Sequence, residues 1–368
     1  MSTMNSTGQS GQRAPLKDVQ ALRGLAAVMV MCYYTGTIFA VTTNTLLFDN
    51  LFRGGFLGVD VFFVLSGFVM YLVHNSDFGD SSALYSFVTK RVLRIFPVYW
   101  LVLLAKLIRE QQPVDLVVLL CAVFLIPFPR EPFITVAWTL SYELLFYSAV
   151  ALMIVLPKGW LTLVPPAVLL AFGLLPAPSM GESNSVASVL LDFPFNSHLI
   201  EFLMGLGVGW VLATRHVTKR LATVMVMLSL VWLVAVFFAG TWLAMPGGNS
   251  YVVNAYEWAE VRGNAVFDLG VWLIGLPFSA LLLGLVVMEQ HRRRAFVPFL
   301  EFLGDISYSL YLLHGAVIFA LMSIPAVAGA LVKNQWMVCF VMLFAVGVSV
   351  FFHHAIEKPL INSIRKRI

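Results

Sequence analysis

The sequence predicts an all-α integral membrane protein of about ten transmembrane helices, with both termini in the cytoplasm. Three observations predict it: the scarcity of charge, the recurrence of apolar runs long enough to cross a bilayer, and the positions of the basic clusters between them. Of 368 residues, 60% are hydrophobic and only 11% are charged. A soluble domain carries roughly 25% charged residues, so most of this surface faces something other than water.

A span takes about 20 mostly apolar residues. Such runs lie near 20–42, 55–74, 91–108, 137–156, 159–175, 197–213, 220–239, 266–287, 300–324 and 336–356. An eleventh run, 115–128, is short and leads into Pro127, Pro129 and Pro132. The basic clusters are Arg13/Lys17, Lys90/Arg91/Arg94, Arg215/Lys219/Arg220, Arg292/Arg293/Arg294 and Arg365/Lys366/Arg367. If 115–128 stays on the outer face or re-enters, every cluster falls inside, as the positive-inside rule requires. If it crosses, the Arg215–Arg220 loop falls outside. Ten spans follow. Residues 1–16 are polar and predict a disordered cytoplasmic tail, 17–360 one transmembrane domain, and 361–368 a short basic cytoplasmic tail. The apolar run after the first tail is too long for a signal-peptide core and reads as a retained span.

The composition also excludes function classes. The net charge of +4 sits in short clusters between apolar runs, which does not suit nucleic acid. Cys32, Cys121 and Cys339 all lie in hydrophobic stretches and read as small apolar residues, so neither a disulfide framework nor a metal is expected. No zinc-protease, nucleophile-elbow, P-loop or dinucleotide motif is present. Nor does the chain show the internal repeat common in transporters.

Ionisable and polar residues inside spans are costly, and each marks a candidate site. Arg23 and Tyr34 lie eleven residues apart in the first span. That is a rise of roughly 16 Å and nearly a whole number of turns, which puts both on one face. They line a cavity, or Arg23 snorkels and Tyr34 is a packing aromatic. In the second span Asp60 lies near the outer end, and Ser66-Gly67 lets backbones approach closely. Lys90, Arg91 and Arg94 open the third span. The i, i+3 arginines form either a phosphate-binding patch or an ordinary positive anchor. The fourth span starts at Trp138, with Glu143 one turn in, where a carboxylate must pair with a base or stay protonated. Gly304, Ser307, Tyr308, Tyr311 and His314 recur at spacings of three or four and line one helix face. Glu357 closes the last span, placed to meet one of the arginines.

Six segments carry a family resemblance: LRGLAAVMV at Leu22–Val30, GVDVFFVLSGF at Gly58–Phe68, RVLRIFPVYW at Arg91–Trp100, WTLSYELLFY at Trp138–Tyr147, GDISYSLYLLH at Gly304–His314 and EKP at Glu357–Pro359. In this order they resemble the membrane acyltransferase-3 family over about residues 16–360. The resemblance implies transfer of an acyl group, acetyl above all, from cytosolic acyl-coenzyme A to a hydroxyl of a carbohydrate or glycolipid, in a bacterial inner membrane. It implies that Lys90, Arg91, Arg94 and Ser66 serve the donor, while Asp60, Trp138, Ser307, Tyr308, Tyr311, His314 and Glu357 surround the reacting groups.

The family's first-span signature is a basic residue, ten others and a histidine. Arg23 matches the basic residue, and the histidine position falls on Tyr34. That histidine would be the general base, with a carboxylate such as Glu143 orienting it. Imidazole titrates at about pH 6.5 and a phenol at about 10, so a phenolate base at neutral pH needs about 4 kcal/mol of selective stabilisation. Three readings follow: an impaired chain that still binds its donor, a Tyr34 base assisted by Arg23, or a substitute histidine, with His314 the most central. A transporter or flippase, or a non-catalytic binding member of the family, are the alternative classes.

Overall fold

Helix α1 (Lys17–Thr43) begins without a capping side chain of its own, because Leu16 precedes it. The orphan N–H groups of the first turn go instead to a distant carboxylate: Glu289 accepts from the backbone of Lys17 and, at 3.1 Å, of Asp18. This tertiary cap ties the start of α1 to the far end of the sequence. The structure is a computed structural model and describes residues 16–109, 114–127, 133–175, 186–243, 271–289 and 297–365. Residues 1–15 of the expected N-terminal tail, 366–368 of the expected C-terminal tail, the first residues of the expected run 266–287 and Arg292–Arg294 lie outside these residues.

Among the described residues every regular element is a helix. After α1 come α2 (Gly58–His74), α3 (Leu84–Arg109), α4 (Leu116–Phe124), α5 (Trp138–Val155), α6 (Val164–Leu174), α7 (Val186–Asp192), α8 (His198–Thr214) and α9 (Lys219–Leu243). The chain ends with α10 (Leu276–Glu289), α11 (Pro298–Asp305), α12 (Ser307–Met322), α13 (Pro325–Lys333), α14 (Val338–Phe352) and α15 (Lys358–Arg365). Asp115 caps α4 by accepting from Val117 and Val118, and the helix stops after nine residues at Leu125, which turns left-handed at φ 57°. The 115–128 run is thus too short to cross as a helix.

Among the described residues, six stretches are long and apolar enough to span a membrane: Lys17–Thr43, Gly54–His74, Thr135–Val155, Lys219–Val236, Val271–Glu289 and Gln335–Ser363. The expected run 91–108 coincides with α3, which is not among them, because Lys90, Arg91, Arg94, Lys106 and Arg109 charge both its ends. Runs 159–175 and 197–213 form shorter apolar helices. The run 300–324 is not one straight helix: α11 and α12 meet at a 76° bend, and they make a seventh span only if counted together. On α9 and α14, Met227, Leu228, Val231, Phe340, Leu343 and Phe351 are exposed. An apolar outward face of this kind requires lipid as its solvent. The protein is an integral membrane helical bundle.

Two close helix contacts organise the interior. A Cβ at Gly24 of α1 would lie 2.1 Å from the Leu300 carbonyl, and one at Gly304 of α11 1.9 Å from that of Gln20. Gly67 of α2 and Gly205 of α8 are similarly backed against Phe202 and Val64. Only glycine permits such approach, which is how helices pack where water supplies no drive. The core beside these contacts is aromatic, with Phe146 of α5 stacked on Phe202 of α8 at 4.1 Å.

Candidate active site

Helix α2 faces two ways. Val59, Phe62, Phe63, Ser66, Val69 and Met70, at helical spacing, line a cavity of about 120 Å³. The rest of its wall includes Arg23 of α1, Arg94 of α3, Thr139, Glu143 and Tyr147 of α5, and Ser307, Tyr308 and Tyr311 of α12. The cavity runs from the end of the bundle where α1 and α12 begin and α2 ends, the basic end, toward the opposite end.

Several polar groups at the basic end are held by hydrogen bonds. Arg23 donates to the Gln20 side-chain oxygen at 3.0 Å, and the Gln20 amide donates to Asp305 at 2.8 Å, so the α1–α11 contact also orients the guanidinium. Tyr147 donates to Glu143 one turn earlier on α5. Glu357 is buried at the end of a π-helical turn (His353–Glu357) and accepts from Ser309 and, at 2.9 Å, from His353. An inserted π turn re-aims a side chain, a common device at functional sites. Arg94 feels Tyr147, Glu143, Tyr308 and Glu357 electrostatically, and Arg23 feels Arg94, Glu143 and Glu357. Arg91 adds a third guanidinium near Tyr147 and Glu143. Among the described residues this places three formal positive charges against two carboxylates. The surplus suits an anionic ligand.

Deeper in, Thr139 donates to the Val136 carbonyl at 2.9 Å, which uses its only hydrogen, so Tyr311 is the donor in their 2.8 Å contact. Tyr308 donates to the Ile95 carbonyl at 2.7 Å, and Ser307 Oγ is buried without a hydrogen-bond partner. One turn beyond Tyr311, His314 is fully buried. Its Nδ1 lies 2.9 Å from the Leu310 carbonyl. A carbonyl only accepts, so Nδ1 carries the proton and Nε2 the lone pair. Nε2 is buried without a partner, and the Tyr34 ring packs against this imidazole at 5.4 Å.

The structure thus brings Arg23, Arg94, Glu143, Ser66, Ser307, Tyr308 and Tyr311 together around one cavity. Others it places elsewhere. Tyr34 is outside the cavity wall, beside His314. Gly304 does not continue the stripe of Ser307–His314, because the bend at Ile306 puts it on α11. Lys90 is exposed, and Arg91 turns from the cavity to donate to His74 at 2.6 Å. Asp60 is fully buried on the other face of α2, away from the cavity and 3.6 Å from His198 of α8, which in turn meets Glu201 at 2.9 Å. Asp60, His198 and Glu201 each offer a ligand-type atom, all within 4.8 Å of one another. Phe63 separates this centre from the cavity, its ring 4.6 Å from His198, and Trp138 packs there too at 5.6 Å.

Sequence reasoning passed over Tyr147, Thr139, Gln20, His198 and Glu201. Tyr147 and Thr139 were within reach, four residues either side of Glu143 on one helix face. His198 and Glu201 are intramembrane ionisable residues one turn apart, found by the same rule that singled out Asp60.

The acyltransferase domain of the acyltransferase-3 family matches residues 16–354, and the chain belongs to that family. It is similar to the exopolysaccharide production protein ExoZ of Rhizobium meliloti (strain 1021), 25% identical over 337 residues that cover 86% of this chain and 92% of that protein. No solved structure matches the chain.

Proposed function

We propose that this chain transfers an acyl group, acetyl above all, from acyl-coenzyme A to a hydroxyl of a polysaccharide or its lipid-linked precursor. One observation carries the reading: a cavity whose wall holds two guanidinium groups, Arg23 and Arg94, against one carboxylate, Glu143, and includes Tyr311, one helical turn before a buried histidine nitrogen without a hydrogen-bond partner. The phosphates of coenzyme A suit Arg94 on the cavity wall and Arg91 beside it, and the thioester suits the interior beyond Arg23. The name of the ExoZ relative points to an exopolysaccharide as acceptor. We place the basic end in the cytoplasm of a bacterial inner membrane, with ten spans and both termini inside, because lysines and arginines prefer that side and the donor is cytosolic.

The proton chemistry is assigned to His314, in place of the family's first-span histidine. The acceptor hydroxyl gives its proton to Nε2 as its oxygen bonds to the thioester carbonyl carbon. The carbon–sulfur bond then breaks and the coenzyme A thiolate leaves, taking up a proton from the imidazolium. A second reading rests on Tyr34: the donor site persists while the missing first-span histidine leaves turnover impaired.

Titration of the purified protein with coenzyme A by calorimetry tests the donor site. Saturable binding is expected, weakened about 10-fold or more in Arg94→Ala, the cost of one charge-assisted contact. Equal affinities would remove Arg94 from the site, and no binding at all would favour a transporter or scaffold.

A further inference from the structure

Arg91 is the guanidinium that the cavity does not explain. It stands at the basic end with its charge 5.5 Å from the centre of the Phe87 ring and 5.4 Å from that of Tyr147. Such contacts favour a cation without fixing its hydrogen-bonding direction. Direction comes from His74 at the end of α2, only 4% exposed, whose Nε2 lies 2.6 Å from Arg91 Nη2. A guanidinium can only donate, so Nε2 must accept, and the imidazole proton must sit on Nδ1. Nδ1 lies 2.8 Å from Asp77 Oδ2, which accepts it. Asp77, His74 and Arg91 therefore form a chain in which each hydrogen bond fixes the sense of the next. Arg91 Nε is buried and has no hydrogen-bond partner, so a donor remains to be used. Beyond Tyr147, Glu143 links this group to the cavity wall.

We infer that His74 is a positioning residue for the donor site: held in one tautomer by Asp77, it aims Arg91 so that its remaining N–H groups meet a phosphate of the acyl-coenzyme A. The inference rests on the donor reading above. Pre-orienting a guanidinium removes the rotamer freedom that binding would otherwise have to overcome.

The test is calorimetric titration of the full-length protein with coenzyme A, alongside thermal midpoints for every variant. His74→Ala is expected to weaken binding about 10-fold. His74→Gln should stay within about 2-fold of wild type, since its amide oxygen can accept from Arg91 while its NH2 donates to Asp77. Arg91→Ala should lose at least as much as His74→Ala. A wild-type isotherm for His74→Ala, beside a loss in Arg91→Ala, overturns the inference alone. Absent binding by the wild type overturns the donor reading and the inference with it, whereas an unchanged Arg91→Ala beside a loss in Arg94→Ala overturns the inference and leaves the donor reading standing. A His74→Gln as weak as His74→Ala also counts against positioning. If His74→Ala does not fold, Asp77→Ala decides, because Asp77 lies at a partly exposed turn. About 3-fold weaker binding is expected there, and none lost contradicts the chain.

Discussion

The two faces of α2 meet two polar centres of opposite character. One face, through Ser66 and its neighbours, looks onto a cavity in which Arg23, Arg94 and the nearby Arg91 outnumber Glu143 and Glu357. The other turns Asp60 toward His198 and Glu201, all three buried, with their ligand-type atoms within 4.8 Å of one another. Between them stands the Phe63 ring, which lines the cavity and packs on His198. A membrane protein keeps charge inside itself only for a reason, and the two centres fit different ones. Cations around a space suit an anionic ligand; carboxylates closed over an imidazole suit a bond between two helices. The close glycine contacts between α2 and α8 lie along that same seam.

This contrast breaks if the sealed centre affects ligand or the open one does not. The largest effect is expected at His198. His198→Ala leaves Asp60 and Glu201 facing each other without the imidazole, and a buried pair deprived of one member costs about 3 kcal/mol. The melting midpoint in detergent should drop, while coenzyme A affinity of the folded protein changes less than about 2-fold. An unchanged midpoint would deny the seam its structural role. Next, Tyr308→Phe removes the hydrogen bond to the Ile95 carbonyl and should cost about 1 kcal/mol in the same assay. Smallest is Ser307→Ala: its buried hydroxyl has no partner to lose, so the midpoint should hold. Coenzyme A or acetyl-coenzyme A binding should weaken about 3-fold if ligand reaches that hydroxyl, and equal isotherms would shorten the ligand's path.

Much of the open centre was legible in the sequence, because the rule that intramembrane charge marks function needs no tertiary knowledge. Arg23, Arg94 and Glu143 stood out on that ground, and helical spacing alone grouped Ser307, Tyr308 and Tyr311. What failed was whatever depends on where a helix bends or what packs against it. The bend at Ile306 has no proline to announce it, so Gly304 was read into the wrong helix. Asp60 was grouped with the cavity residues because its partner His198 is far away in sequence. Arg91 and Arg94 look equivalent at i, i+3, yet one enters the cavity wall and the other meets His74. Tyr34 shares a helix face with Arg23, but only Arg23 lines the cavity, and Tyr34 packs against His314.

The central claim is that His314 does the proton work the family gives to its first-span histidine. The most direct measurement is incorporation of labelled acetyl from acetyl-coenzyme A into the polysaccharide and lipid fractions of membranes containing the wild type, His314→Ala or Tyr34→His. The account predicts incorporation by the wild type that falls about 100-fold or more in His314→Ala, with coenzyme A binding retained. A wild type at background that Tyr34→His alone brings to life would contradict it, and would identify Tyr34 as the lesion.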